Sequence, residues 1–216
     1  ANGDSKQKTE DAIPGILSGA LGVSFDSNVG HDYIEDASER FDFYTRKEDK
    51  IPFDIELLNK ITKGGLTNKS LNIALAGTGV GKSLFMCHVA AAALMQGKNV
   101  LYITAEMAEE KIAERIDANL LNVNIQDLSN LPKQMFESKV AKVAKKVQGS
   151  LIIKEYPTAQ AHSGHFKALL NELQLKKNFR PDIIFIDYLN ICASSRIKAG
   201  ANANSYTLVK SIAEEL

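Results

Sequence analysis

Tryptophan is absent from the 216-residue chain, and it has only 2 cysteines and 5 prolines. Two thiols, Cys87 and Cys192, cannot build a disulfide framework. Both stand in apolar runs, so they are expected as buried, reduced side chains. No apolar run reaches the roughly 20 residues that a membrane-spanning helix requires. No leader-like segment is legible, so a cytoplasmic-type compartment is expected, without membrane attachment. An excess of one charge is missing too: 26 basic side chains balance 26 acidic ones. That removes any global electrostatic argument for nucleic acid while leaving room for a local basic groove. The balance is uneven along the chain, since residues 1–60 hold 13 acidic and 7 basic side chains. A metal set of histidines is also missing. His162 and His165 are three apart, but no cysteine or carboxylate stands near them at ligand spacing.

What is present is a stretch of small residues ending in a lysine and a serine, Ala76-Gly77-Thr78-Gly79-Val80-Gly81-Lys82-Ser83. An apolar run, Leu71 to Ala76, precedes it and reads as a buried strand. Leu84 to Met95 follows and reads as a helix. Strand, glycine-rich turn and helix opening on Gly-Lys-Ser form the context of a phosphate-binding loop. Glycines let successive backbone N–H groups of Gly77, Thr78, Gly79, Val80 and Gly81 turn toward one anion. The helix start adds unpaired donors and a positive dipole end. Lys82 supplies a mobile charge for the β- and γ-phosphates of a nucleotide such as ATP, and Ser83 a hydroxyl for Mg2+. The strict pattern begins with glycine where this chain has Ala76, which is small enough for the same close packing.

The order of elements predicts an α/β fold. Residues 1–10 are polar and aperiodic. Ile13, Ile16, Leu17, Ala20 and Leu21 form an apolar helical stripe on a tether, which must dock on its own domain or on a neighbouring subunit. Residues 33–49 are charged and helix-prone. Residues 51–61 read as an extended segment and then a helix, ended by Gly64-Gly65. Val100 to Thr104, Leu151 to Ile153 and Ile183 to Asp187 read as strands. Ala108 to Leu121, residues 134–148 and His162 to Phe179 read as helices, and a last helix starts near Tyr206. The lysine face of the 134–148 helix (Lys139, Lys142, Lys145, Lys146) reads as a solvated surface. Strands alternating with helices argue for a mostly parallel sheet covered on both faces.

Two carboxylates complete the chemistry. Asp187 ends a strand of four apolar residues, at the carboxyl edge where open α/β sheets bind ligands. It reads as the acid that holds magnesium through water. Glu106 follows the strand 100–104 and can polarise a water attacking the γ-phosphate. The alternative reading is a helix-start acid that balances the dipole of the helix it precedes. Glu109 and Glu110 fall inside that helix and are expected to face solvent.

Together these segments resemble the DnaB-type hexameric replicative helicases. The segments are Ile51-Pro52-Phe53 with Leu57 and Gly64-Gly65-Leu66, the Gly-Lys-Ser loop, Tyr102 to Met107, and Ile186-Asp187-Tyr188-Leu189-Asn190. The resemblance implies a RecA-like P-loop core over residues 51–216, preceded by a linker over residues 1–50 whose short helix docks on the adjacent subunit of a homo-hexamer. It implies Lys82 and Ser83 on phosphates and magnesium, Glu106 as the catalytic carboxylate, and Asp187 as the Walker B acid. It implies that the loop from Ala193 to Ser205 touches single-stranded DNA, with Arg196 and Lys198 as candidate backbone contacts. Primase and other replisome proteins are the implied partners. The family carries further segments, among them an arginine-type finger and a second DNA loop, so the 216 residues by themselves are expected to hydrolyse ATP poorly. The runner-up readings are a RecA-type recombinase that forms filaments, and a non-catalytic nucleotide-binding assembly module.

Overall fold

The computed structural model describes residues 30–158, 160–197 and 204–216. The apolar stripe from Ile13 to Leu21 and Lys198 lie outside the described residues. The chain divides into two compact units, one ending at Glu48 and the other spanning Asp49–Leu216.

In the first unit, Asp32 folds its carboxylate back onto the N–H groups of Ile34 and Glu35, both at 2.8 Å. This local turn starts the chain into α1 (Ala37–Thr45). Arg40 stacks its guanidinium 4.4 Å over the Tyr33 ring. No residue of α1 is buried, and Phe41, Phe43 and Tyr44 are all exposed.

The second unit opens on a small antiparallel pair, β1 (Lys50–Ile51) with β2 (Leu66–Thr67), which bracket α2 (Glu56–Ile61). The Asn59 side chain clamps Phe53 by accepting from its N–H at 2.8 Å and donating to its carbonyl at 2.7 Å. Gly65 has φ +120°, and a Cβ added there would lie 2.2 Å from the Ile51 carbonyl oxygen. Backbone conformation and crowding therefore both demand glycine. Gly65→Ala is expected to cost about 1–3 kcal/mol from backbone strain alone, read as a lowered denaturant midpoint with an unchanged slope.

The core is a three-stranded parallel sheet in the order β4 (Leu151–Glu155), β3 (Val100–Thr104), β5 (Ile183–Asp187). The central strand β3 is buried at every position, as a run of apolar and β-branched residues covered on both faces should be. Its alternate residues feed two separate cores. Val100 and Tyr102 pack with α3 (Lys82–Met95) and α4 (Glu109–Leu120), against Cys87, Val89, Ala90, Ile112, Ile116 and Phe185. Leu101 and Ile103 pack on the other face, with Phe166, Leu169 and Leu173 of α6 (Ser163–Lys177) and Ile212 of α7 (Ser205–Glu215). Between these lie α5 (Lys133–Ala144) and two short 3-10 turns, Ile125–Asn130 and Leu189–Ile191. His162 caps α6 by accepting from the Gly164 N–H at 3.0 Å, and His165 packs against it at 4.0 Å between ring centroids. These histidines serve the helix start. Among the described residues no cluster of potential metal ligands occurs, and no helix is long and apolar enough to cross a membrane.

Three expectations need correction. Leu71 to Ala76 is not a strand: it runs irregularly, and Leu71, Ile73 and Leu75 are exposed. An apolar run supplies hydrophobicity, but a strand also requires an edge to pair with, and this stretch hydrogen-bonds to neither edge of the sheet. Locally, Ser70 Oγ donates to the Thr67 carbonyl and accepts from the Asn72 side chain, which holds the preceding turn. Glu109 does not face solvent freely. Its carboxylate accepts from the Glu155 N–H at 2.8 Å and lies 3.5 Å from Lys154 Nζ. β4 is an edge strand, so its last N–H needs an acceptor from outside the sheet. Lys139 is half-buried, and its ammonium donates to the Leu121 carbonyl at 3.2 Å instead of standing in water.

Candidate nucleotide site

Two positive-φ glycines shape the backbone of the loop 77–81. Gly79 has φ +75° and Gly81 φ +104°, and a Cβ at either would meet nothing within 4 Å. Glycine is needed there for conformation and not for space. Gly81 is the N-cap of α3, and no side chain caps that helix start. Its first N–H groups are therefore open to a ligand. Residues 77–80 are exposed, while Lys82 and Ser83 are half-buried in the first turn of α3.

Lys82 reaches back over the end of the sheet. Its ammonium lies 3.9 Å from Asp187 Oδ1 and 3.7 Å from the centroid of the Tyr188 ring. A cation over an aromatic face is attracted by the ring quadrupole, so Tyr188 helps to park the lysine. Asp187 itself is fully buried. Its Oδ2 accepts from the Tyr102 hydroxyl at 3.1 Å. Its Oδ1 is the one buried side-chain oxygen or nitrogen among the described residues without a hydrogen bond. A buried carboxylate oxygen left this way is costly unless a cation or metal-bound water faces it. The oxygen chemistry therefore suits a hard divalent cation. Burial pushes the Tyr102 phenol far up, reinforced by the neighbouring Cys87 and Asp187 side chains. It stays protonated, as a donor to Asp187 must.

Glu106 sits just beyond β3 at the same carboxyl edge of the sheet and is exposed. Its backbone is held on both sides. The Ala105 N–H donates to the Asp187 carbonyl at 3.0 Å, and the Ala105 carbonyl accepts from Thr158 Oγ1 at 2.8 Å. Thr104 Oγ1 accepts from the Met107 N–H at 3.1 Å and donates to its carbonyl at 2.9 Å. These hydrogen bonds pin the turn on both sides of Glu106, whose side chain is exposed.

The segment following β5 is tied to α7. Glu215 accepts from the Ser195 N–H at 2.9 Å, from Ser195 Oγ at 2.7 Å and from Ser194 Oγ. Arg196 pairs with Glu214 at 3.1 Å. Partial burial pushes the Glu215 carboxyl up. The hydrogen bonds from Ser194, Ser195 and the Arg196 backbone outweigh it and hold the group down from its ordinary 4.5 to about 2. A depressed carboxyl stabilises the fold above its unfolded value and loses that contribution as pH falls through the folded one. Thermal stability is thus expected to drop between about pH 4.5 and 2. In Glu215→Gln, melting curves across that window should flatten.

Lys82 and Asp187, far apart in sequence, meet in the structure. The loop from Gly77 to Ser83 and the turn carrying Glu106 frame the same end of the sheet. Arg196 is on the surface but already paired. Sequence reasoning missed Tyr102 and Tyr188. A tyrosine on an otherwise apolar strand was the available signal, since a buried phenol requires a partner for its hydroxyl.

Residues 51–216 match the family model described as DnaB-like helicase C terminal domain. A DnaB-like replicative helicase of Enterobacteria phage T4 is 51% identical over 208 residues, which is 95% of this chain and 44% of that relative. The chain therefore spans less than half the length of that relative. Among solved structures, a DnaB-like replicative helicase described with its interactions with primase superposes with a TM-score of 0.60 at 17% identity, covering 98% of this chain and 51% of that one. A second structure, described as an ATPase domain, superposes with a TM-score of 0.59 at 17% identity, covering 83% of this chain and 62% of that one. These likenesses show a RecA-like α/β fold. With the family model matched from Ile51 to the last residue, the chain belongs to the DnaB-like helicase C-terminal domain family.

Proposed function

We propose that this chain is the ATP-hydrolysing motor of a replicative DNA helicase, and that it translocates on single-stranded DNA by turning over nucleotide at subunit interfaces. The observation that carries this reading is the meeting of Lys82 with the buried, half-satisfied carboxylate of Asp187 at the carboxyl rim of the sheet.

In this reading the backbone N–H groups of Gly77 to Gly81 and the start of α3 bind the phosphates. Lys82 leaves the Tyr188 ring for the β- and γ-phosphates, where it offsets charge that grows in the transition state. Glu106 orients and polarises the attacking water, and its stapled turn keeps the carboxylate from wandering. Ser83 and Asp187 would hold Mg2+, which supplies charge neutralisation on the phosphate oxygens. The exposed loop and the half-buried lysine leave ATP a direct path in.

The remaining assignments rest on the family. Residues 1–50 act as a linker and residues 51–216 as the motor core. The linker joins subunits into a homo-hexamer, a reading supported by the uncovered aromatic side chains Phe41, Phe43 and Tyr44 of α1. Arg196 and Lys198 contact the DNA backbone, and Arg196 must exchange Glu214 for a phosphate to do so. Primase and replisome proteins are partners, and the host cytoplasm is the compartment.

The test is Glu106→Gln in the full-length protein. Hydrolysis is expected to fall about 10²–10⁴-fold, with ATP affinity within a few-fold of wild type. Unchanged hydrolysis would remove Glu106 from the chemistry and favour a nucleotide-dependent assembly switch.

A further inference from the structure

The sheet register places a second residue on the Walker B acid. Tyr102 of β3 stands opposite Phe185 of β5, and Thr104 stands opposite Asp187. Phe185 and Asp187 are two apart and share one face of the sheet, as do Tyr102 and Thr104. Asp187 is therefore the diagonal neighbour of Tyr102, a separation that an aromatic side chain can bridge and a serine or threonine cannot. The Tyr102 ring stacks on Phe185 with centroids 5.7 Å apart and 15° between planes. That contact aims the hydroxyl past Phe185 to Asp187 Oδ2, 3.1 Å away. The Cys87 thiol of α3 approaches the same hydroxyl at 3.9 Å. Tyr102 has no exposed surface, so it cannot reach solvent as an alternative partner.

We propose that Tyr102 is a positioning residue for the metal site: its hydrogen bond to Oδ2 locks the rotation of the Asp187 carboxylate, so that Oδ1 alone is presented toward Lys82 and the cation. The inference rests on the reading of Asp187 as a magnesium-holding acid. It explains two observations together, the unbonded Oδ1 and the engaged Oδ2 of one buried group. Without the phenol, the carboxylate would rotate between two unsatisfied oxygens. Outer-shell partners that orient a ligand in this way typically set metal affinity by one to two orders of magnitude.

The probe is Mn2+ binding to the ADP complex of the full-length protein, read by electron paramagnetic resonance without any turnover. Tyr102→Phe keeps the ring, its stacking and its volume. It is expected to weaken Mn2+ about tenfold, with metal-free ADP affinity unchanged within twofold. In an Asp187→Asn background the same substitution is expected to change Mn2+ affinity less than twofold. Cys87→Ala, which spares the hydrogen bond to Asp187, should leave the affinity at the wild-type value. Should Tyr102→Phe not fold, 3-fluorotyrosine at position 102 gives the second readout. Its ¹⁹F resonance is expected to move when Mg2+ is added to the ADP complex, and to stay still in Asp187→Asn. Equal Mn2+ affinity in Tyr102→Phe and wild type, or equal losses in both backgrounds, overturns the inference while leaving Asp187 as a ligand. A still ¹⁹F resonance in the otherwise wild-type protein overturns it too. If Asp187→Asn itself binds Mn2+ like wild type, the reading of Asp187 fails, and the inference with it.

Discussion

Lys82→Ala is expected to lower ATP hydrolysis about 10³-fold, the upper range for losing one preorganised charge on a transition state. Two effects combine. The β- and γ-phosphates lose their cation, and the buried Asp187 loses the ammonium 3.9 Å away. The second effect acts without nucleotide. Removing one partner of a fully buried ion pair costs about 3–5 kcal/mol, because the other charge is left uncompensated. Lys82 keeps 24% of its side-chain surface exposed and the contact is long. A smaller loss, about 1–2 kcal/mol, is therefore expected for the nucleotide-free protein. Steady-state hydrolysis and urea unfolding measure the two effects separately.

Asp187→Asn should abolish turnover to a similar degree while moving stability the other way. Asparagine has nearly the same shape and carries no charge. It can still accept from the Tyr102 hydroxyl through its carbonyl oxygen. The desolvation penalty of a buried carboxylate with one unbonded oxygen disappears, and Lys82 is free to turn to water or to the Tyr188 ring. The nucleotide-free protein is expected to be as stable as wild type or up to about 2 kcal/mol more stable. Adding Asp187→Asn to Lys82→Ala should then recover the stability that Lys82→Ala loses, with no recovery of hydrolysis. Additive stability effects in this double-mutant cycle would mean that the two side chains do not interact in the folded chain.

Much of this arrangement was legible from local pattern. The spacing of Gly77, Gly79, Gly81, Lys82 and Ser83 encodes a backbone shape, and both positive-φ glycines are where that shape needs them. Ile112 and Ile116 are one turn apart and share the buried face of α4. The strand ending at Asp187 announces itself by a run of apolar residues stopped by an acid. Pairing across the fold was not legible. Leu71 to Ala76 has the composition of a strand, yet composition does not specify a neighbour. Tyr102 looked like one more strand residue, because only the register of β3 on β5 brings its hydroxyl to Asp187. Glu109 reads locally as a solvent-facing acid inside its helix, because nothing local reveals that α4 begins beside the last N–H of β4. In each case the deciding fact is a contact between residues distant in sequence.

The proposal that Lys82, Asp187 and Glu106 converge on one triphosphate is tested most directly by electron cryomicroscopy of the full-length protein with a non-hydrolysable ATP analogue, Mg2+ and single-stranded DNA. The expected map has the β- and γ-phosphates cradled by Gly77 to Gly81, Lys82 Nζ withdrawn from Tyr188 onto those phosphates, and the metal between Ser83 and the Oδ1 side of Asp187. Glu106 should face the γ-phosphate. A nucleotide bound elsewhere, or a metal on the far side of the sheet from Asp187, would contradict the account.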